Sequence, residues 1–307
     1  MTPNGITSAL KAAIAKLGGQ PPGAVAECPA KVMDHGGPPP RKNPCSGIGM
    51  SDAASQKQYV AEFKKVQADW SKLSVAQREA RLQGIVNDPL TKSGAPGAIV
   101  ESSPLPGGKN GEFDFKTWTL RVNQDLVKSN QLSDEDAKKL SGVVYHEARH
   151  SEQWYLMASK RAGEGATADD ISKELGLSPA EAEYAVNHPM ADDDPRKACA
   201  DALYDSVYGK NRAHRNKTLT DLSRLSKANK DAATRFRKLQ ADPKATQQQK
   251  QEALDQWKQT YAGYKKVYAD YRNLPEESDA WSAGDGVEGM WGGAQKKGPV
   301  VKTPALP

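Results

Sequence analysis

Two histidines in this chain are spaced so that both could bind one metal ion. Residues 146–150 read His-Glu-Ala-Arg-His, and residues four apart lie on the same face of a helix. A glutamate directly after the first histidine can deprotonate a water on the metal. The segment therefore predicts a metal site in which His146 and His150 are ligands and Glu147 is the general base.

The histidine motif lies within a long predicted helix. Ser133 is a typical N-cap, and the acidic residues 134–136 suit the positive end of a helix dipole. Leu140, Val143, Val144 and Ala148 give this helix a buried side, and Gly163 and Gly165 are expected to end it after about Arg161. An exposed face of mixed charges is the alternative interpretation, and the apolar side disfavours it.

The elements around this helix predict an α+β fold that is predominantly helical. Residues 51–86 have the pattern of two helices, the second capped by Ser74. Residues 98–100 predict a short strand, and residues 113–122 predict a longer one with a bend near Lys116 and Thr117, where the alternation changes phase. Helices combined with so few strands imply a small sheet.

Residues 167–187 predict two short helices that resemble a DNA-reading helix-turn-helix. The second of them, from Pro179 to Asn187, contains Glu181 and Glu183 but no basic residue. A helix that contacts phosphates needs positive charge. This segment is therefore expected to be structural, and no nucleic-acid partner is predicted.

Residues 218–271 predict a long antiparallel helical hairpin, broken once at Asp242-Pro243. The second arm carries Trp257 and four tyrosines at spacings of four and three, close to a heptad seam. We expect this aromatic stripe to pack within the hairpin.

The composition of the chain predicts flexible ends and no membrane-spanning segment. The 307 residues include 26 Gly and 20 Pro, which predicts a flexible docking or linker segment over 1–50 and a disordered tail over 282–307. The net charge of +5 is mixed, no apolar run is long enough to span a membrane, and the beginning of the chain lacks the pattern of a signal peptide. No membrane insertion is expected.

Three cysteines allow one pairing at most. Cys28 and Cys45 flank His35 and could form a disulfide or half of a metal site, with Cys199 left over. Three free thiols are the favoured interpretation.

The helix with His-Glu-Ala-Arg-His resembles the active-site helix of the zincin metallopeptidases. The resemblance implies a zincin-like domain over 51–281 with a helical insertion at about 164–272, and Zn²⁺ as cofactor. It also implies a third ligand, a His, Asp or Glu on a later element. In zincins, a strand at the edge of the sheet lines the cleft and binds the extended peptide substrate, and the strand beginning at Phe113 is expected in that place.

The third ligand is the least determined part of this site. Residues 271–281 are similar to the Pro-x-Glu-x-x-Ala segment of zincins with a glutamate ligand, which makes Glu277 the favoured ligand and Asp279 a partner that would hold a ligand histidine. Tyr271 and Arg272 are candidate donors to the oxyanion. His188 is the first alternative ligand, followed by Glu181, Glu183 and residues 192–194.

The wider motif, Tyr-His-Glu-Ala-Arg-His-Ser-Glu-Gln-Trp-Tyr, resembles metallopeptidase domains of bacterial toxins and type VI secretion effectors. That resemblance implies a protein made in the bacterial cytoplasm and exported without a signal peptide into a target cell. A protein or peptide substrate, a docking partner in the secretion machinery and an immunity protein would follow. Two other functions stay open: a metal-dependent peptidoglycan hydrolase, and a non-catalytic adaptor that binds partners through its helical hairpin.

Overall fold

The computed structural model describes residues 43–105 and 109–291. These ranges form a predominantly helical α+β fold with a small sheet, as predicted. Single 3-10 turns lie at Gly49–Ser51 and Trp70–Lys72. The described helices and strands, in chain order, are α1 (Ala53–Asp69), α2 (Val75–Lys92), β1 (Ile99–Ser103), β2 (Gly111–Asp114), β3 (Thr119–Asn123), α3 (Gln124–Lys128), α4 (Asp134–Gly163), α5 (Ala168–Leu175), α6 (Pro179–Asn187), α7 (Lys197–Val207), α8 (Arg212–Ala241), α9 (Gln247–Arg272) and α10 (Pro275–Met290).

The helices begin where side chains can satisfy their first backbone N–H groups. Ser74 and Gln77 form a reciprocal capping box at the start of α2, and Ser133 accepts a hydrogen bond from the Asp136 amide at the start of α4. Asp134 also lies in the acidic first turn of α4, and Lys160 lies in its last turn, which suits the helix dipole at both ends. The helices predicted over 51–86 and 133–161 are thereby confirmed.

The sheet has three strands in the order β1-β3-β2. β3 is central, β1 pairs with it in parallel and β2 pairs with it in antiparallel. The prediction of one bent strand over 113–122 is wrong: the chain reverses completely between β2 and β3. Trp118 adopts a positive φ of 52° in this reversal, and its buried indole contacts the ring of Phe113 at 5.1 Å, so the phase shift in the sequence marked a turn.

α4 is the central helix of the core. Residues on every side of it are buried, including Leu140, Tyr145 and Leu156. It packs most extensively against α10, at a crossing made by two glycines. A Cβ placed on Gly284 would lie 3.0 Å from the backbone oxygen of Gly142, so the absence of side chains there lets the two helices approach closely.

The described chain divides into two compact units. The larger contains residues 43–104, 111–212 and 272–291, and the smaller is built around residues 213–271. α5 and α6 are confirmed as two short helices, and with α7, which the sequence pattern did not reveal, they contribute to the core of the larger unit. The insertion predicted at about 164–272 is therefore placed too early, because residues 164–212 belong to the larger unit.

The smaller unit is the predicted antiparallel hairpin of α8 and α9. The ring of Phe236 on α8 stacks on Trp257 of α9 at 5.4 Å, and Arg235 donates a hydrogen bond to Gln256. The chain turns at Asp242-Pro243, where the sequence predicted the break.

Both predicted flexible ends extend too far into the chain. Residues 43–50 pack on the core, with Met50 fully buried, and residues 282–290 continue α10, with Ala283 and Val287 buried. Cys28 and His35 lie outside the described residues, as do residues 292–307 of the proposed tail.

Cys45 forms a disulfide with Cys199 of α7. The interpretation of three free thiols is therefore wrong for these two residues, which are 154 positions apart in the sequence and are both buried. Among the described residues, no helix has the length and apolar character needed to cross a membrane.

Candidate metal site

His146, His150 and Glu277 converge at the crossing of α4 and α10. One ligand atom from each lies within 4.8 Å of the others, and Nε2 of His150 is 3.8 Å from Oε2 of Glu277. The three residues are between 8 and 9 % exposed, so they form a nearly enclosed site that solvent can still reach. This group could hold a metal ion.

α10 brings the third candidate ligand to this site. Pro275 begins the helix at a position where its missing N–H costs nothing, and Glu276 and Glu277 lie in the acidic first turn. The close crossing at Gly284 then sets α10 against the face of α4 that carries the histidines. A Cβ on Gly284 would be 3.3 Å from Cβ of His146.

Glu147, which follows His146 on α4, contacts strand β2 with its side chain. A Cβ placed on Gly111, the first residue of β2, would lie 2.8 Å from Cγ and 3.0 Å from Oε1 of Glu147. β2 is an outer strand of the described sheet. The general-base candidate and an outer strand are therefore in direct contact.

The two histidines have opposite electrostatic surroundings. Burial and the neighbouring ring of His150 lower the pKa of His146 well below its usual value, although the backbone of Ala280 acts in the opposite direction. Burial also acts to lower the pKa of His150, but the carboxylates of Glu277 and Glu147 outweigh it and raise that pKa. A cation between these groups would be stabilised by the same two carboxylates.

A chain of buried hydrogen bonds connects Nδ1 of His150 to α10. Nδ1 of His150 lies 2.8 Å from Oε1 of Gln153. Gln153 donates from Nε2 to the backbone oxygen of Glu276 at 2.9 Å and to Oδ2 of Asp279 at 2.7 Å. Asp279 is thus connected to His150 through Gln153, and its role as a partner of a metal ligand stays a prediction.

Asp279 is itself surrounded by donors. Arg149 donates from Nε to its Oδ2 at 2.7 Å, while Asn43 and Ser51 donate to Oδ1 at 3.2 and 3.1 Å. Burial would raise the pKa of Asp279, but the Arg149 guanidinium and these hydrogen bonds hold it below its usual value. Arg149 also forms an ion pair with Glu152, and all three charged side chains are fully buried.

Arg272 belongs to the larger unit, which contains the candidate metal site, whereas Tyr271 belongs to the hairpin unit. The guanidinium of Arg272 lies over the ring of Trp281 at 4.3 Å, and that ring is 4.6 Å from the ring of His146. Arg272 is thus near the site, and its charge contributes to the low pKa of His146. Tyr271 belongs to the hairpin unit, where its ring lies 6.0 Å from that of Tyr268, and its role as a donor stays a prediction.

The alternative third ligands lie elsewhere. His188 is exposed, its Nδ1 is 2.8 Å from the backbone oxygen of Tyr184, and its ring stacks on that tyrosine at 4.3 Å. It is not part of the described group that could hold a metal. Glu181 is hydrogen-bonded to Ser178, and the acids at 192 and 194 pair with Lys197 and Arg196.

Sequence reasoning missed Arg149, Glu152 and Gln153, although all three lie in or beside the histidine motif. On one amphipathic helix they would face solvent. One feature of the sequence could have identified them: apolar residues occur on more than one side of α4. Polar residues within such a helix have to be buried and hydrogen-bonded.

No protein-family model, curated protein or solved structure matches this chain.

Proposed function

We propose that this protein is a zinc-dependent metallopeptidase with a zincin-like core. The observation that carries the proposal is the convergence of Glu277 on His146 and His150 from 127 positions away (277 − 150). Two histidines at helical spacing are common enough by themselves. A buried carboxylate from a remote helix, added to the same face, completes the donor set of a catalytic zinc site.

The residues fit this ion. Two imidazoles and one carboxylate are a known catalytic zinc donor set, and here one ligand atom of each residue lies within 4.8 Å of the others. When bound, zinc supplies Lewis-acid chemistry that polarises a scissile carbonyl and makes an adjacent water more acidic.

The chain's own residues would then perform the proton transfers. The carboxylate of Glu147 takes a proton from the attacking water and delivers it to the leaving amine nitrogen. Arg272 and Tyr271 are the candidate donors to the negative oxygen that develops.

β2 would bind the substrate. Its contact with Glu147 through Gly111 supports an extended peptide adding to the outer edge of the sheet, with main-chain hydrogen bonds supplying affinity. The aromatic rings of Phe113 and Trp154 lie 6.3 Å apart beside this strand, and Trp154 lies 6.3 Å from His150, which favours an apolar side chain next to the cleaved bond. Export as a bacterial effector, with its docking and immunity partners, belongs to the proposal on the resemblance of the histidine motif alone.

The test is metal analysis combined with casein hydrolysis for the wild type and Glu147→Gln. The wild type should bind one zinc and cleave, and Glu147→Gln should keep the zinc while losing about 10²- to 10⁴-fold in rate. A wild type without zinc, or a mutant with full activity, contradicts the proposal. Purified sacculi as a second substrate separate a peptidase from a peptidoglycan hydrolase, and partner binding retained in a His146→Ala/His150→Ala double variant would indicate an adaptor.

The third ligand has its own matched pair of variants. Glu277→Ala should abolish stoichiometric zinc binding, whereas His188→Ala should leave it unchanged. The opposite result would assign the third ligand to His188.

A further inference from the structure

The side-chain amide of Gln153 can adopt only one orientation. Its Nε2 lies 2.9 Å from the backbone oxygen of Glu276 and 2.7 Å from Oδ2 of Asp279. A backbone oxygen can only accept, and the Asp279 carboxylate already accepts from Arg149 on that same oxygen. A flipped amide would place an oxygen against two acceptors, so both N–H groups of Gln153 have to point at α10.

This orientation determines the tautomer of His150. With Nε2 committed to α10, Oε1 of Gln153 is the atom that faces Nδ1 of His150 at 2.8 Å. An amide oxygen cannot donate, so Nδ1 has to carry the hydrogen. In the neutral ring, Nε2 of His150 is then the nitrogen with the free lone pair, and it is the atom that lies 3.8 Å from Glu277.

We propose that Gln153 is a positioning residue that keeps His150 in the tautomer able to bind a metal through Nε2. The inference rests on the proposed metal site and extends it to a residue three positions beyond the second histidine. Gln153 acts through His150, and its own side chain is fully buried on α4.

The support behind Gln153 explains why its orientation is stable. Asp279 accepts from Arg149, and also from Asn43 and Ser51 on its other oxygen. These contacts fix the carboxylate, and the carboxylate fixes the amide. His146 has different neighbours, since its ring packs against Trp281 and the backbone of Ala280 acts on its pKa.

A purely structural role is the competing explanation, because Gln153 also joins α4 to α10. Two substitutions separate the explanations. Gln153→Leu removes the acceptor for His150 together with the link to α10. Gln153→Glu keeps an oxygen towards His150 but turns a carboxylate towards Asp279. A structural role predicts that both variants lose stability and that neither changes the His150 tautomer.

The experiment uses the full chain and three readouts: nitrogen-15 NMR of the histidine rings without metal, the zinc dissociation constant from competition with a chromophoric chelator, and the melting temperature. In the wild type, neutral His150 should carry its proton on Nδ1. Gln153→Leu should give a mixture of tautomers and weaken zinc binding by about 10- to 100-fold. Gln153→Glu should keep the Nδ1 tautomer although its melting temperature falls.

Gln56→Leu is the matched control, because Gln56 is a buried glutamine whose amide donates to the backbone oxygen of Met50 and not to a histidine. It should lose stability with unchanged tautomer and zinc affinity. A wild-type His150 protonated on Nε2 overturns the proposal, as does a folded Gln153→Leu with unchanged tautomer and zinc affinity. Because the NMR readout needs neither metal nor substrate, it is independent of whether the protein proves to be a peptidase.

Discussion

Removing the disulfide should destabilise this protein strongly. The Cys45–Cys199 bond closes a loop across 154 positions of sequence. Cross-linking a chain removes entropy from its unfolded state in proportion to the logarithm of the loop length, and a loop of this size corresponds to about 5 kcal/mol at 25 °C. Many single domains are stable by only 5–15 kcal/mol in total, so the loss would be a large part of the stability of the larger unit.

The consequence should extend to the metal site. Cys45 lies in the segment 43–51, whose Asn43 and Ser51 donate to Asp279 and whose Met50 amide donates to Glu152 at 3.0 Å. Without the covalent link to α7, only these hydrogen bonds and the packing of Met50 offset the entropy lost when this segment becomes ordered. We therefore expect weaker zinc binding as well as lower stability.

The assay compares urea unfolding and zinc affinity in Cys45→Ala/Cys199→Ala and in Cys28→Ala. The Cys28 variant controls for the loss of a cysteine and prevents thiol exchange with the disulfide. The double variant should unfold at a clearly lower urea concentration, and alkylation without reductant should find no reactive thiol in Cys28→Ala. If the double variant and the control unfold together, the loop-entropy reasoning is refuted.

Two further substitutions test the surroundings of the site. Arg149→Met leaves two carboxylates buried without their cation and should lower the free energy of unfolding by about 3–5 kcal/mol, whereas Arg161→Met, which breaks part-exposed ion pairs, should cost no more than about 1 kcal/mol in urea titrations. Gly111→Ala places a methyl group 2.8 Å from Cγ of Glu147 and should lower kcat with little change in melting temperature. Gly84→Ala is the control, because a Cβ at that position meets nothing within 4 Å, and this substitution should stabilise α2 by about 0.5–1 kcal/mol. Full activity in Gly111→Ala would argue against the contact between β2 and Glu147, the proposed general base.

The elements that sequence patterns predicted best are those whose signals are local. Ser133 and the acids after it mark the start of α4 because capping depends on residues within one turn. The break at Asp242-Pro243 is equally local. By contrast, the sequence pattern predicts only a bend where β2 and β3 are joined by a turn, because a positive φ at Trp118 is uncommon for a bulky residue and no glycine or asparagine marks the turn.

The parts of the site that sequence reasoning missed depend on contacts across the fold. The pairing of Cys45 with Cys199 and the role of Gln153 both require knowing which helices cross. Arg149 illustrates the difficulty: a charged residue beside a catalytic motif normally faces solvent, and here the burial of α4 on all sides makes it the centre of an ion-pair cluster.

The long separation in sequence does not count against Glu277 as the proposed third ligand, for a physical reason. Closing a flexible loop costs only about 0.6 kcal/mol for each doubling of its length. Lengthening a gap of about 30 residues to the 127 that separate His150 from Glu277 therefore adds only about 1.2 kcal/mol. That is less than the cost of leaving one buried polar group without a partner, about 1–3 kcal/mol. The nearer His188 is kept away by its own local contacts with Tyr184, whereas Glu277 lies on a helix whose fully buried Asp279 already joins it to α4 through Arg149 and Gln153. Which candidate reaches the two histidines thus follows from which helix can pack against α4 with its buried polar groups satisfied, and not from distance along the sequence.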